Sequence, residues 1–250
     1  MAVVASNLVM YSAANMPQDD STTSGGAIDS GVRVTFTDPS SAAQLIIFSS
    51  SASDTSQTLA LTGRNAAGSV ISESMSLNGT SNVTSSNTFG RVLTAYLSAT
   101  GVGDVTVSGN GINKVAEIPI GETGFLRPFY DATASLSTTK TLYEKIFVKN
   151  NNTSSTLNSA TLIPVAATGL ASNITYGIEN GKASPQSVTD RTTVPTGVDS
   201  FGSGSSGVYP NGTGELTPHD YQGVWLKLSL AASESSANSF YEIQVSGTTT

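Results

Sequence analysis

Apolar and polar residues alternate in short runs along this 250-residue chain, and Gly, Asn, Pro or Ser cuts off each run before it can lengthen. A two-residue period puts successive side chains on opposite faces of an extended strand, whereas a helix needs apolar residues at i, i+3, i+4 and i+7. No window of about 11 residues sustains the helical stripe. The pattern predicts an all-β fold.

Individual runs can be read in detail. Val32, Val34 and Phe36 share one face, with Arg33, Thr35 and Thr37 on the other. Leu45 to Phe48 reads as a continuously buried strand. Ser56 to Leu77 reads as a hairpin: Leu59 and Leu61 go out, the loop Gly63 to Gly68 turns, and Ile71, Met75 and Leu77 return opposite Ser72, Ser74 and Ser76. Asn78-Gly79 then signals a turn, since both residues tolerate positive φ. Further strands are expected at Phe89 to Ser98, Asp104 to Ser108, Lys114 to Ile118, Leu142 to Lys149, Leu157 to Val165 and Asn173 to Glu179. Val224, Leu226, Leu228 and Leu230 alternate with Trp225, Lys227 and Ser229. Tyr241, Ile243 and Val245 do the same, and the two runs are expected to pair as a closing hairpin through Ala231 to Ser239.

Two prolines and two glycines frame an aromatic cluster between Pro119 and Tyr130, and this reads as a crossover between domains. The expected division is an N-terminal arm (1–20), a first β-sandwich (21–118), a junction (119–130) carrying Phe125, Phe129 and Tyr130, and a second β-sandwich (131–250). The Gly/Ser-rich stretch 181–220 reads as a long functional or mobile loop.

Composition narrows the function. Ser and Thr number 71, and Leu, Ile, Val and Phe 57, so the core is lean but sufficient. A net charge of −7 with 11 Lys and Arg argues against nucleic-acid binding, which needs clustered cations. No run approaches the ~18 apolar residues of a membrane helix. With no Cys, thiolate chemistry and disulfides are excluded. Met1 to Met10 lacks the basic start of a secretory signal and reads as mature chain, made without export.

No residue is assigned a catalytic, cofactor-binding or metal-binding role, and the expectation is a protein that is not an enzyme and carries no cofactor. His219-Asp220 is the one adjacent imidazole and carboxylate, but Thr217-Pro218-His219-Asp220 reads as an exposed turn rather than part of a triad. Gly202, Gly204 and Gly207 match the dinucleotide spacing without the strand and helix that motif requires. The acidic residues are scattered, with Asp19-Asp20 the one adjacent pair, so neither a glycosidase pair nor a calcium loop stands out. The triplets at Asn78, Asn82, Asn151, Asn152, Asn173 and Asn211 follow from the abundance of Ser and Thr. Trp225, on the strand face opposite the Leu stripe, is expected to pack under the inter-domain junction or to face a partner subunit.

The run Ser56 to Thr80, with its Thr-rich strand, its Gly-Arg-Asn-Ala-Ala-Gly loop and its Leu-Asn-Gly-Thr ending, resembles a β-hairpin module of tailed-bacteriophage virion structural proteins. Gly223 to Leu228 resembles the last hairpin of their immunoglobulin-like modules, and Tyr11 to Asp20 their N-terminal arm. The resemblance implies tandem immunoglobulin-like sandwiches in a capsid decoration (cement) protein. Such a protein would sit on the outer surface of a phage head, assembled in the host cytoplasm. Its partners would be the major capsid protein, copies of itself as a homo-oligomer in the particle, or both, with no nucleic acid and no membrane. Leu8, Val9, Met10 and Tyr11 are the candidate partner-contact residues, since apolar side chains in an arm gain from burial. A tail or tail-tip component and a carbohydrate-binding surface module remain alternatives.

Overall fold

The alternating runs become strands. The computed structural model describes residues 2–16, 19–34, 37–109, 114–203, 207–208, 214–235 and 241–249, and these contain no α-helix. In chain order the strands begin with β1 (Leu8–Asn15), β2 (Ser24–Arg33), β3 (Ala43–Ser49), β4 (Thr58–Arg64), β5 (Val70–Ser76) and β6 (Val83–Phe89). Next come β7 (Arg91–Leu97), β8 (Val105–Gly109), β9 (Lys114–Ile118), β10 (Gly124–Leu126), β11 (Lys140–Asn150) and β12 (Leu157–Ala167). The last are β13 (Ile174–Lys182), β14 (Ser187–Val188), β15 (Gly207–Val208), β16 (Glu215–Leu216), β17 (Tyr221–Leu230) and β18 (Tyr241–Thr249). The fold is all-β, with several sheets of antiparallel and mixed pairing.

Two compact units divide the chain, one made of Met1–Asp29 with Pro128–Thr250, the other of Ser30–Arg127. This differs from the division expected at 20/21 and 119–130. Composition marks where a chain is rich in turn residues, but not which distant strand a segment hydrogen-bonds. Here the N-terminal segment pairs with β11 and falls in the same unit as the C-terminal half.

In the Ser30–Arg127 unit, the end of β2 pairs in parallel with β10, and β10, β7, β4 and β5 follow in order. A second sheet runs β6-β3-β8-β9. One core cluster draws Leu59, Leu61, Met75, Ala95 and Phe125 from the first sheet and Leu45, Ile47, Phe89, Val107 and Ile118 from the second. The hairpin expected from the sequence is β4–β5, in register from Thr58↔Ser76 to Arg64↔Val70. Its turn is held by the Asn65 carboxamide, which accepts the Ala67 and Ser69 N–H groups at 3.0 Å each. Two expectations change. Leu45 and Ile47 are buried but Ile46 and Phe48 only half so, because β3 has a core on one side. Phe89 to Ser98 is not one strand: Gly90 breaks it, donating its N–H to the Arg64 carbonyl, so that β6 and β7 join different sheets.

The other unit is built on β13-β17-β11-β1-β2, with β14 pairing the start of β2. A smaller sheet places β15 and β16 on β12, and β18 also pairs β12. The expected closing hairpin is absent. β17 pairs β11 over ten positions from Lys140↔Leu230 to Lys149↔Tyr221 and pairs β13 on its other side, whereas β18 pairs β12. Both edges of β17 are thus occupied, leaving no edge for β18.

The expected N-terminal arm is likewise corrected over Leu8–Asn15, which is β1, an interior strand between β11 and β2. Val9 and Tyr11 are only 7% and 3% exposed, while Leu8 and Met10 are half-buried. The burial these side chains need is met largely inside the chain. Phe125 belongs to the core of its unit and sits in β10, a strand rather than a linker.

Gly25 shows how tightly this second unit closes. Its φ is +94°, and a Cβ there would lie 2.6 Å from the Trp225 ring and 2.8 Å from the Gln186 carbonyl. Gly25→Ala is expected to cost about 2–4 kcal/mol through backbone strain and overpacking. Denaturant unfolding monitored by Trp225 fluorescence should show a lower midpoint, and an unchanged midpoint would contradict the packing described.

Candidate functional site

Glu144 and Lys145 stand side by side in β11, and neighbouring strand residues point to opposite faces. Both faces are buried here, with Glu144 2% and Lys145 0% exposed, so each charge needs its own counter-ion. Lys145 Nζ lies 2.8 Å from Glu179 Oε1 and donates to the carbonyls of Ser184 (2.7 Å), Gly26 (3.2 Å) and Gln186 (3.3 Å). The same Glu179 oxygen accepts the Trp225 indole N–H at 3.0 Å. Burial pushes the Lys145 ammonium down and the Glu179 carboxyl up, and the pairing opposes both shifts.

On the other face, Arg191 gathers three carboxylates: Asp131 at 2.8 Å, Asp20 at 2.9 Å and Glu144 at 3.2 Å. Lys140 also pairs with Asp20. Glu144 Oε2 accepts the N–H of Phe129 at 2.7 Å, holding that residue at φ 55°, in the left-handed region. Two cations among three carboxylates leave one negative charge in excess. The most deeply buried acid takes up the strain: burial pushes Glu144 up to about 8, against the pull of Phe129 N–H and Arg191. Burial alone would raise Asp20, but Lys140 and Arg191 hold it below the usual carboxylate range.

In the Ser30–Arg127 unit, the polar centre is Asp54, with no exposed surface. Its carboxylate accepts from Ser49 Oγ (2.5 Å), Val102 N–H (2.8 Å), Gly103 N–H (3.0 Å) and Gln57 Nε2 (3.1 Å). Those bonds outweigh desolvation and keep its pKa low. Asp54 thereby ties the β3–β4 loop to the β7–β8 loop. Beside it, Asp104 accepts the Ile120 N–H at 3.0 Å, so the β9–β10 loop joins the same end of the unit. Val102 and Ile120 are each 62% exposed on this framework. A rigid loop end showing apolar side chains is a candidate contact surface, because little conformational entropy remains to be lost on binding.

The residues singled out from sequence are differently placed. His219 is exposed in a turn at φ 65°, and the Asp220 carboxylate is held by Thr217 N–H, Thr217 Oγ1 and Lys182 rather than by the imidazole. Gly202 bridges Tyr176, Gly207 lies in β15, and Gly204 is outside the described residues. Asp19 folds onto Ser21 while Asp20 joins the Arg191 cluster. Trp225 is fully buried among Tyr143, Val188, Val198 and Phe201, and Phe125 is 1% exposed, so neither ring face is open for stacking on a sugar. Among the described residues no group of three or more His, Asp or Glu side chains is placed to hold a metal ion.

Sequence reasoning did not single out Arg191, Glu144, Lys145, Glu179 or Asp54. Glu144-Lys145 did carry a signal, since two adjacent charges interrupt the apolar run from Leu142 to Val148. Asp54 carried none, being one polar residue in Ser-Ala-Ser-Asp-Thr-Ser. Compared with protein-family models, curated proteins and solved structures, the chain matches none.

Two outcomes follow from these networks. Asp54→Ala removes a buried acceptor of four hydrogen bonds and is expected to cost about 3 kcal/mol in chemical denaturation. The pH dependence has two limbs. Asp54 and Asp20, with lowered pKa, contribute stability above the unfolded value of 3.8 that is lost as pH falls through their folded values. Glu144, raised to about 8, contributes stability that is complete below its unfolded value of 4.5 and is lost as pH rises towards 8. The melting temperature of the wild type relative to Glu144→Gln should therefore rise as pH is lowered from 8.5 to 5. A difference that stays constant would remove Glu144 as the titrating group.

Proposed function

We propose that this chain is a structural subunit of a tailed-phage particle, a decoration protein bound to the outside of the head that stabilises the shell. Each compact unit is read as a β-sandwich of immunoglobulin-like type, and the partner as the major capsid protein, further copies of this chain, or both. One observation carries the reading. The buried Lys145, Glu179, Glu144, Arg191 and Asp54 are engaged by other groups of the scaffold, while Val102 and Ile120 stand exposed on a braced loop end. Such an inventory suits work by shape and contact rather than turnover. The β4–β5 hairpin supports it as well, since it is the segment that resembles virion modules. A net charge of −7 favours an outer position over one against packaged DNA.

Co-sedimentation with purified heads tests the proposal. The double variant V102D/I120D is expected to keep the wild-type melting temperature, both side chains being exposed, and to lose head binding by about tenfold or more. Wild-type protein that does not sediment with heads, or that immunogold labelling places on tails, would overturn the assignment to the head.

A further inference from the structure

A strand at the edge of a sheet presents unpaired N–H and C=O groups, and at three places this chain covers such an edge from within. The outer edge of β13 is met by the segment between β14 and β15: Tyr176 and Gly202 exchange two backbone hydrogen bonds of 3.0 Å, and the Asn180 N–H donates to the Gly197 carbonyl at 2.9 Å. The Val115 carbonyl of β9 accepts the Thr37 N–H at 2.7 Å, and Lys114 pairs with Glu117 along that strand. Between β5 and β6, the Glu73 carboxylate takes the N–H groups of Ser86 and Asn87 at 2.7 and 2.9 Å.

β18 is treated otherwise. It pairs β12 on one side, and among the described residues no strand, bridge or loop meets its other side. Its nine residues include no Pro, no Lys and a single charge, that of Glu242. Both register shifts of the β12–β18 pair put the additional residue in β12. Asn158 to Thr161 is opposed by the shorter step Thr248 to Ser246, and Pro164 to Ala166 by Ile243 to Glu242. β18 is therefore an unbroken edge without the prolines, bulges or charges that keep edges apart. Tyr241, Ile243 and Val245 share one face and are half-buried, while Glu242 and Gln244 are exposed on the other. An apolar row left half-covered at an edge gains burial when the sheet continues past it.

We propose that the outer edge of β18 pairs antiparallel with the same strand of a second copy of this chain, around a twofold axis at Val245. That register engages all nine residues, with Tyr241 opposite Thr249 at each end. Residues directly opposite share a face, so Val245 meets its own copy and each Ile243 meets a Gly247. Gly247 has no room for a side chain within its own chain, since a Cβ would lie 2.8 Å from the Asn158 carbonyl and 2.8 Å from Leu157 Cγ. The same bareness leaves space for the isoleucine of the copy. Each Glu242 faces Thr248, and the two Glu242 residues stand six positions apart along the strands, about 20 Å. A chain of net charge −7 thus meets itself with no like charges opposed. This self-match favours a copy over a foreign strand, which would need no such symmetry. The inference deepens the part of the functional reading that gives the chain copies of itself as partners, and it rests on that part; the capsid contact plays no role in it.

The purified full chain, without heads, is followed by sedimentation equilibrium and by amide hydrogen exchange as its concentration is raised into the millimolar range. A monomer–dimer equilibrium is expected, with amides of β18 gaining protection as the dimer forms. Thr248→Glu sets a carboxylate opposite the partner's Glu242 twice per dimer and should weaken association about fivefold, whereas Thr248→Lys sets an ammonium there and should tighten it by about the same factor. Thr248 is exposed, so both variants should keep the wild-type melting temperature. Asn82→Glu and Asn82→Lys, the same charge changes at an exposed residue of the other unit, should leave association as it is. A chain that stays monomeric, a dimer equally stable in both Thr248 variants, or a dimer whose β18 amides exchange as in the monomer would overturn the proposal. Protection of β18 that arises only on mixing with heads would give the edge to a strand of another protein and would overturn it too. Loss of head binding with the dimer intact would count against the capsid assignment alone.

Discussion

Two adjacent ionisable residues in the middle of a strand buried on both faces set the terms for the larger unit. β11 carries Glu144 and Lys145 between apolar neighbours, and strand geometry sends them to opposite sides. Neither can be left alone there, because removing one partner of a buried pair costs several kcal/mol. Glu179 must therefore arrive from β13, and Arg191 from the segment after β14, each bringing its backbone into place. The carbonyls of Gly26, Ser184 and Gln186 converge on Lys145 for the same reason. The close approach of Gly25 to Trp225 belongs to this arrangement too. A lean, Ser- and Thr-rich chain thus compensates for a modest apolar core with polar networks that tolerate one geometry.

The smaller unit uses the opposite economy. Its core is a single apolar cluster between two sheets, and its polar investment lies at the two ends of the β4–β7 pair. At one end Asp54 accepts every donor it can and ties loops together around exposed Val102 and Ile120. At the other end Arg91 and Arg127 share Asp38.

Local order was legible in the sequence wherever neighbours along the chain decided it. The β4–β5 hairpin was readable because Asn65 and the glycines around it build the turn from within and the alternation sets the register. The absence of helices was readable from periodicity alone. By contrast Val224–Leu230 and Tyr241–Val245 look like hairpin partners, being alternating and close in sequence, yet each found a different edge. The apolar start of the chain was readable as a segment in need of burial, but not as one that finds it between β11 and β2. That Arg64 faces Arg91 was equally invisible, since it depends on the pairing of β4 with β7 and on a register shift between Thr62 and Gly63.

Composition and alternation by themselves determined that this chain is a β protein without thiol chemistry, lean in its core and acidic overall. Those properties are sums over residues or patterns over a few neighbours, and they need no knowledge of the partner strand. Tertiary structure alone decided which edges meet, where the two units divide, and which charges share a site. Strand pairing joins residues more than a hundred positions apart, and hydrogen bonds between backbones carry no mark in the side chains that form them.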